Sequence, residues 1–156
     1  KGLFQNRNIQ KTYTAVTWGE IKEKIGTIES YIEKSNKNPS KQATSNSPHK
    51  LINPKDAKTS YKVLKIENEM SLVEIQPKTG RKHQLRKQLY AIGQPIFGDI
   101  KYKLSNSARG LNKNLMLHSY QIKFIIDNVK HTYTALLPDY FRKLLKTKRL
   151  RFLGSK

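Results

Sequence analysis

Residues 79–102 read TGRKHQLRKQLYAIGQPIFGDIKY, and the middle of this segment has a helical period. Leu85, Leu89 and Ile92 recur at i, i+4 and i+7, the spacing that lines one face of an α-helix with apolar side chains. The spacing predicts a helix over 81–92, entered through Thr79-Gly80 and left at Gly93 in a left-handed conformation. Arg81, Lys82 and His83 then crowd the helix start, where unpaired N–H groups already carry about half a positive charge. Each such side chain opposes that field by about 0.3–1 kcal/mol, so the arrangement calls for an anionic partner. Arg86 falls about 100° round from Leu85. At the border of the buried stripe, its stem can pack while its guanidinium reaches a cleft.

Working outward, residues 8–18 alternate. Ile9, Lys11, Tyr13, Ala15 and Thr17 fall on one side, Gln10, Thr12, Thr14, Val16 and Trp18 on the other, which predicts a strand ended by Gly19. Residues 59–66 and 72–76 read as strands joined by a turn near Asn68. Residues 116–126 and 129–136 read as a hairpin around Asp127-Asn128. A short helix is expected over 138–145 with Pro138 in its first turn. Strands and helices without βαβ alternation argue an α+β fold with a mixed, largely antiparallel sheet and few helices, in one domain over 1–156. Two parts stand apart. Residues 33–56 are Ser, Asn, Lys and Pro with hardly an apolar side chain beyond Leu51 and Ile52, so a disordered surface insertion is expected there. Residues 105–114 read as a polar loop. From Arg142 onward there are seven basic residues and no acidic one, ending in a basic tail at 146–156. That tail is either a solvated end or a nucleic-acid contact.

Lys and Arg number 31 against 11 Asp and Glu, a net charge of +20. A polyanion is the partner such a balance suits, and binding through 6–10 phosphates would weaken about 10³- to 10⁵-fold between 50 and 200 mM salt. Solubility, or a coding bias toward Lys and Asn, is the alternative source of the excess. The chain has no Cys, which excludes disulfides and thiolate metal sites. His83 has no second His or carboxylate at ligand spacing, so no metal is expected. No apolar run approaches the roughly 18 residues of a membrane-spanning helix, and no signal-peptide core is present. A cytoplasmic, RNA-containing compartment is the expectation.

The blocks Gly80-Arg81, His83-Gln84-Leu85-Arg86, Gly93, Pro95-Ile96, Gly98-Asp99 and Tyr102 belong together with three others. These are Lys11-Thr12-Tyr13 with Ala15, Val16 and Gly19; Ala57 with Thr59 and Tyr61; and Leu115-Met116-Leu117-His118. In this order they resemble the RluA-like branch of the RNA pseudouridine synthases, over roughly the C-terminal half to two-thirds of that family's catalytic domain. The resemblance implies a long mixed sheet crossed by an RNA-binding cleft. It also implies isomerisation of a uridine in ribosomal or transfer RNA: the C1′–N1 bond breaks and the base rejoins through C5. Neither a metal nor an organic cofactor takes part.

By the same resemblance, Arg86 matches the arginine that pairs with the catalytic aspartate, a role suited to its permanent charge and bidentate fork. Tyr13 matches the tyrosine that stacks on the target uracil and assists proton transfer; Leu115 and Leu117 match the lining of the base pocket. Lys11, Arg81 and Lys82 suit phosphates, His83 is a fixed member of the motif with a structural part, and Asp99 is a turn or capping residue. Each has a plainer reading: a snorkelling Arg86, a core Tyr13, a solvated Lys11, and leucines that simply pack. The family's upstream Arg-Leu-Asp motif, which holds the catalytic aspartate, has no counterpart before the block that begins at Lys11. With Lys1 as first residue, the chain is expected to be part of a longer polypeptide, to leave Arg86 an unpaired cation, and to be inactive alone. It departs from the family pattern at Lys87 and Gln88, where an apolar residue and His are usual, and at Lys103, where Gly is common. Two functions compete: the C-terminal part of a synthase, or a non-catalytic basic RNA-binding module built on the same fold.

Overall fold

The strand anticipated around Tyr13 is the middle of the molecule. In a computed structural model that describes residues 9–33, 44–46, 53–104 and 114–150, β1 (Ile9–Trp18) pairs antiparallel with β5 (Met70–Pro77) on one side and β6 (Leu117–Ile126) on the other. Beyond β5 lie β4 (Pro54–Glu67), β2 (Ile25–Glu33) and the two-residue β3 (Thr44–Ser45); beyond β6 lies β7 (Val129–Thr134). Every pairing among the described strands is antiparallel. Among the described residues two helices accompany the sheet, α1 (Gln84–Ala91) and α2 (Asp139–Thr147).

The helices cover opposite faces. Side chains of α1 bond Ser30 of β2 and Thr59 of β4, and Thr59 lies on the Tyr13 side through the register Tyr13–Ile75–Tyr61. On the other face Phe141 of α2 meets His118, the cross-strand partner of Thr14. Both faces of β1 are therefore buried at its centre, where Ala15 and Val16 have no exposed surface. Leu72 and Val73 repeat the pattern next door in β5. A bulge adjusts the β1–β6 pairing. Thr12 pairs with Gln121 but Tyr13 with Ser119, so Tyr120 is the extra residue and Leu117, opposite Ala15, returns to the Tyr13 side.

The hairpin turns follow their residue types. Asn68-Glu69 and Asp127-Asn128 all have positive φ, between 48° and 61°, the geometry of a two-residue turn that matches strand twist. Gly93, at φ 78, closes α1: its N–H donates to the carbonyl of Tyr90 and that of Gln94 to the carbonyl of Leu89.

Three expectations need correction. First, the helix begins at Gln84, not 81. His83 is its N-cap in a left-handed conformation, so Arg81 and Lys82 precede the helix and Arg81 turns back to Asp56. Second, Ile92 is exposed because the chain reverses at Gly93; the stripe completing Leu85 and Leu89 is instead Gln84, Lys87 and Gln88. Third, β2 was not anticipated, and the proposed insertion contributes Thr44–Ser45 as an edge strand and residues 54–56 to β4. Residues 34–43 and 47–52, like most of the polar loop at 105–113, lie outside the described residues. Of the basic tail, residues 146–150 are described: Lys146 and Arg149 are exposed, and Leu150 is core, its N–H donating to the carbonyl of Leu145. Residues 151–156 lie outside the described residues.

Candidate functional site: a basic groove over the central strand

On the α1 side of the sheet, a groove of about 950 Å³ runs between β1 and the segment that leads from β5 into α1. Lys11 and Tyr13 form its floor, Leu117 a side, and Arg81, His83 and Arg86 its opposite wall. Six of the eight side chains singled out from the sequence thus share one opening. Lys82 is exposed outside it, and Leu115 packs half-buried against the core. No Asp or Glu is among the residues that line it.

Arg86 differs most from expectation. It is not an unpaired cation: its Nε donates to Asp99 Oδ2 at 2.6 Å and its Nη2 to Oδ1 at 2.7 Å. Asp99 has no exposed side-chain surface, and its Oδ1 also accepts the backbone N–H groups of Lys101 and Tyr102. Burial pushes the Asp99 carboxyl up, but the Arg86 hydrogen bonds and the two N–H groups outweigh it and hold the group below the usual carboxylate range. The same bonds raise Arg86 against the opposing effect of its own burial. The ring of Tyr102 lies 5.0 Å from the guanidinium carbon, a cation–π contact. Among the described residues Nη1 of Arg86 has no hydrogen-bond partner, so the guanidinium keeps one edge for a ligand.

The wall is fixed from behind by two glutamines. Gln84 Oε1 accepts from Thr79 Oγ1 and from the Arg81 N–H, while its Nε2 donates to the carbonyl of Lys58 and to Thr59 Oγ1. One turn on, Gln88 Nε2 donates to Ser30 Oγ and to the carbonyls of Ile28 and Ala57, and its Oε1 accepts from Thr59. These bonds leave both buried amides satisfied and pin α1 to β2 and β4. His83 Nδ1 is 3.1 Å from the Tyr102 hydroxyl. Burial lowers its pKa, and Arg86, Lys101, Lys82 and Lys87 lower it further, so its ring is neutral at neutral pH. Arg81 spends Nε on the carbonyl of Asp56 and Nη2 on its carboxylate, an exposed pair worth little.

Sequence reasoning gave no role to Gln84, Gln88 or Tyr102, and missed the pairing role of Asp99. The i, i+4 spacing of the two glutamines was a usable signal, because a polar pair beside Leu85 and Leu89 on the buried face must find partners. Among the described residues no three His, Asp or Glu side chains gather as metal ligands, and no helix is long and apolar enough to cross a membrane.

With this geometry in hand, the chain can be compared with known proteins. Its fold is that of Human RNA Pseudouridylate Synthase Domain Containing 4: the two superpose with a TM-score of 0.78 and 27% identity over 97% of this chain and 66% of that one. The pattern of the RNA pseudouridylate synthase family matches residues 1–91. Ribosomal large subunit pseudouridine synthase C of Rickettsia conorii is 37% identical over 145 residues, covering 91% of this chain and 46% of that protein. Dual-specificity RNA pseudouridine synthase RluA of Pasteurella multocida is 34% identical over 128 residues, covering 80% and 54%. The chain belongs to the RNA pseudouridylate synthase family, in its RluA-like branch. It spans about half the length of these curated relatives.

Proposed function

We infer that this chain forms one side of an RNA pseudouridine synthase site, and that the activity is isomerisation of a uridine in ribosomal RNA, or in transfer RNA. The observation that carries the reading is the single groove gathering Tyr13, Arg86, Lys11, Arg81 and His83 in a chain of net charge +20. The Rickettsia conorii relative, named for the ribosomal large subunit, supports ribosomal RNA as the first candidate.

Reaching C1′ and C5 requires the base to leave its stack, at a few kcal/mol that phosphate contacts and aromatic stacking offset. The site then needs a flat surface, a carboxylate beside the sugar and a cation to keep it ionised. Tyr13 supplies the surface and Arg86 the cation. Leu117 lines the pocket while Leu115 packs against the core, and Lys11, Arg81 and His83 meet the ribose-phosphate backbone in the groove, with Lys82 outside it. No metal and no organic cofactor takes part. Because no carboxylate lines the groove and Asp99 is engaged behind Arg86, the nucleophilic carboxylate has to come from outside the described residues, and Nη1 of Arg86 is the edge it would meet. The isolated chain therefore binds RNA, in the cytoplasm, without converting uridine.

Mapping pseudouridines in the RNA of a strain lacking the gene tests the activity. Loss of modification at one or more ribosomal or transfer RNA positions supports it, and an unchanged map contradicts it. Pseudouridine made by the purified chain, and abolished by Arg86→Ala, would overturn the inactivity of the chain alone. A carboxylate-free groove also suits a non-catalytic RNA-binding module, and the unchanged map is that reading's signature.

A further inference from the structure

Tyr102 lies behind the groove rather than in its lining, yet it touches three of the groups that shape the groove wall. The residue is 8% exposed. Its ring face takes the Arg86 guanidinium, its hydroxyl meets His83 Nδ1 at 3.1 Å, and its backbone N–H donates to Asp99. A phenol this buried needs an acceptor for its O–H, and Nδ1 of His83 is the partner it has among the described residues. Were Nδ1 to carry the proton instead, the phenol would accept and its own hydrogen would be left without a partner. The Tyr102 hydroxyl is moreover held protonated, burial being the larger cause.

We propose that Tyr102 is a positioning residue: its hydroxyl donates to His83 Nδ1 and so fixes the Nε2–H tautomer, while its ring seats Arg86. The groove then presents two donors of different kinds at set places, a guanidinium edge and a neutral imidazole N–H. The neutral donor has a use here. Lys82, Lys87, Lys101 and Arg86 all stand close enough to His83 to disfavour another positive charge, whereas an uncharged N–H can still bond a ligand oxygen. The backbone agrees: His83 is at φ 55, a left-handed conformation that a non-glycine residue keeps only where its surroundings hold it. The chemistry that such a pair recognises is an oxygen-rich ligand held at two points, which under the RNA reading above is the nucleotide entering the groove.

Long-range ¹H–¹⁵N spectra of the full chain at neutral pH report the tautomer directly, and the wild-type protein needs no variant for this arm. The Nε2–H form is expected for His83; an Nδ1–H form or a charged ring overturns the proposal. In Tyr102→Phe, which keeps the ring over Arg86, a mixture of tautomers is expected. That variant should bind a fluorescein-labelled RNA hairpin with a loop uridine more weakly by the reciprocal of the fraction of His83 left in the Nε2–H form, about two-fold for an even mixture. Unchanged affinity in Tyr102→Phe, with the wild type binding, overturns it. If the wild type does not bind the hairpin, the RNA reading fails and the tautomer alone decides this inference.

Discussion

Replacing Asp99 by Asn tests the pairing that holds Arg86 in place. The side chain has no exposed surface and accepts four hydrogen bonds, two from Arg86 and two from the backbone N–H groups of Lys101 and Tyr102. Asn can keep the backbone bonds through Oδ1. It loses the charge, and it turns an NH₂ toward the Arg86 Nε–H, so the bond that was 2.6 Å becomes donor against donor. Hydrogen bonds to charged groups are worth about 1.5–3 kcal/mol each, and a buried ion stripped of its partner costs about 3–5 kcal/mol. The Arg86 side chain is 18% exposed and can recover some hydration through the groove. A loss of about 3 kcal/mol is therefore expected, read as a lower urea midpoint at pH 7.

The pH dependence gives a second check. The folded pKa of Asp99 is depressed, so its contribution is complete above the unfolded carboxylate value of about 3.9 and fades as pH falls through the folded one. The gap between wild type and Asp99→Asn should narrow below about pH 4. Asp139→Asn is the control. Its pair with Arg142 is exposed, and its removal should leave stability almost unchanged. Should Asp99→Asn stay within about 1 kcal/mol of wild type at pH 7, the clamp is not the buried ion pair described.

Lys87 is 1% exposed, and burial pushes its amine down to about 8. The unfolded chain holds that proton more tightly, so stability should rise from about pH 8 to about pH 10, and Lys87→Met should remove the slope; parallel pH profiles for the two chains would contradict this. Arg149 sits at φ 56 just past the end of α2, the position glycine favours, so Arg149→Gly should raise stability by about 1 kcal/mol in thermal melts. A Cβ on Gly26 would come within 2.5 Å of the hydroxyl of Tyr61, its cross-strand partner. Gly26→Ala should therefore cost about 1–3 kcal/mol through displaced ring packing, and a melting temperature equal to wild type would refute the close approach.

What the sequence revealed follows from what is local. Alternation in β1, the turn pairs Asn68-Glu69 and Asp127-Asn128, and the closing role of Gly93 are each written in a few adjacent residues, and all are found. β2 was hidden because Ser30 sits between Ile28 and Ile32 at the buried position of the alternation. Its hydroxyl is acceptable there only because Gln88, 58 residues away, donates to it. The helix start was misplaced for a related reason. Arg81 does lie near a helix N-terminus, but Gln84 takes its N–H and Asp56 its guanidinium, which no helical period could indicate. Likewise Arg86 was visible as a residue aimed at a cleft, whereas the partner that aims it lies in a loop 13 residues on. Most of the candidate residues that line the groove were legible; the ones that hold them were not, because their contacts are long-range and polar.

The central claim is that the groove between Tyr13 and Arg86 receives RNA, and backbone and methyl NMR spectra of the chain, titrated with a uridine-containing hairpin, test it most directly. Shifts concentrated at Lys11, Tyr13, His83, Arg86 and Leu117, and weakening steeply with added salt, are the predicted result. Shifts confined to the exposed basic side of α2, around Lys143 and Lys146, with the groove signals unmoved, would contradict it.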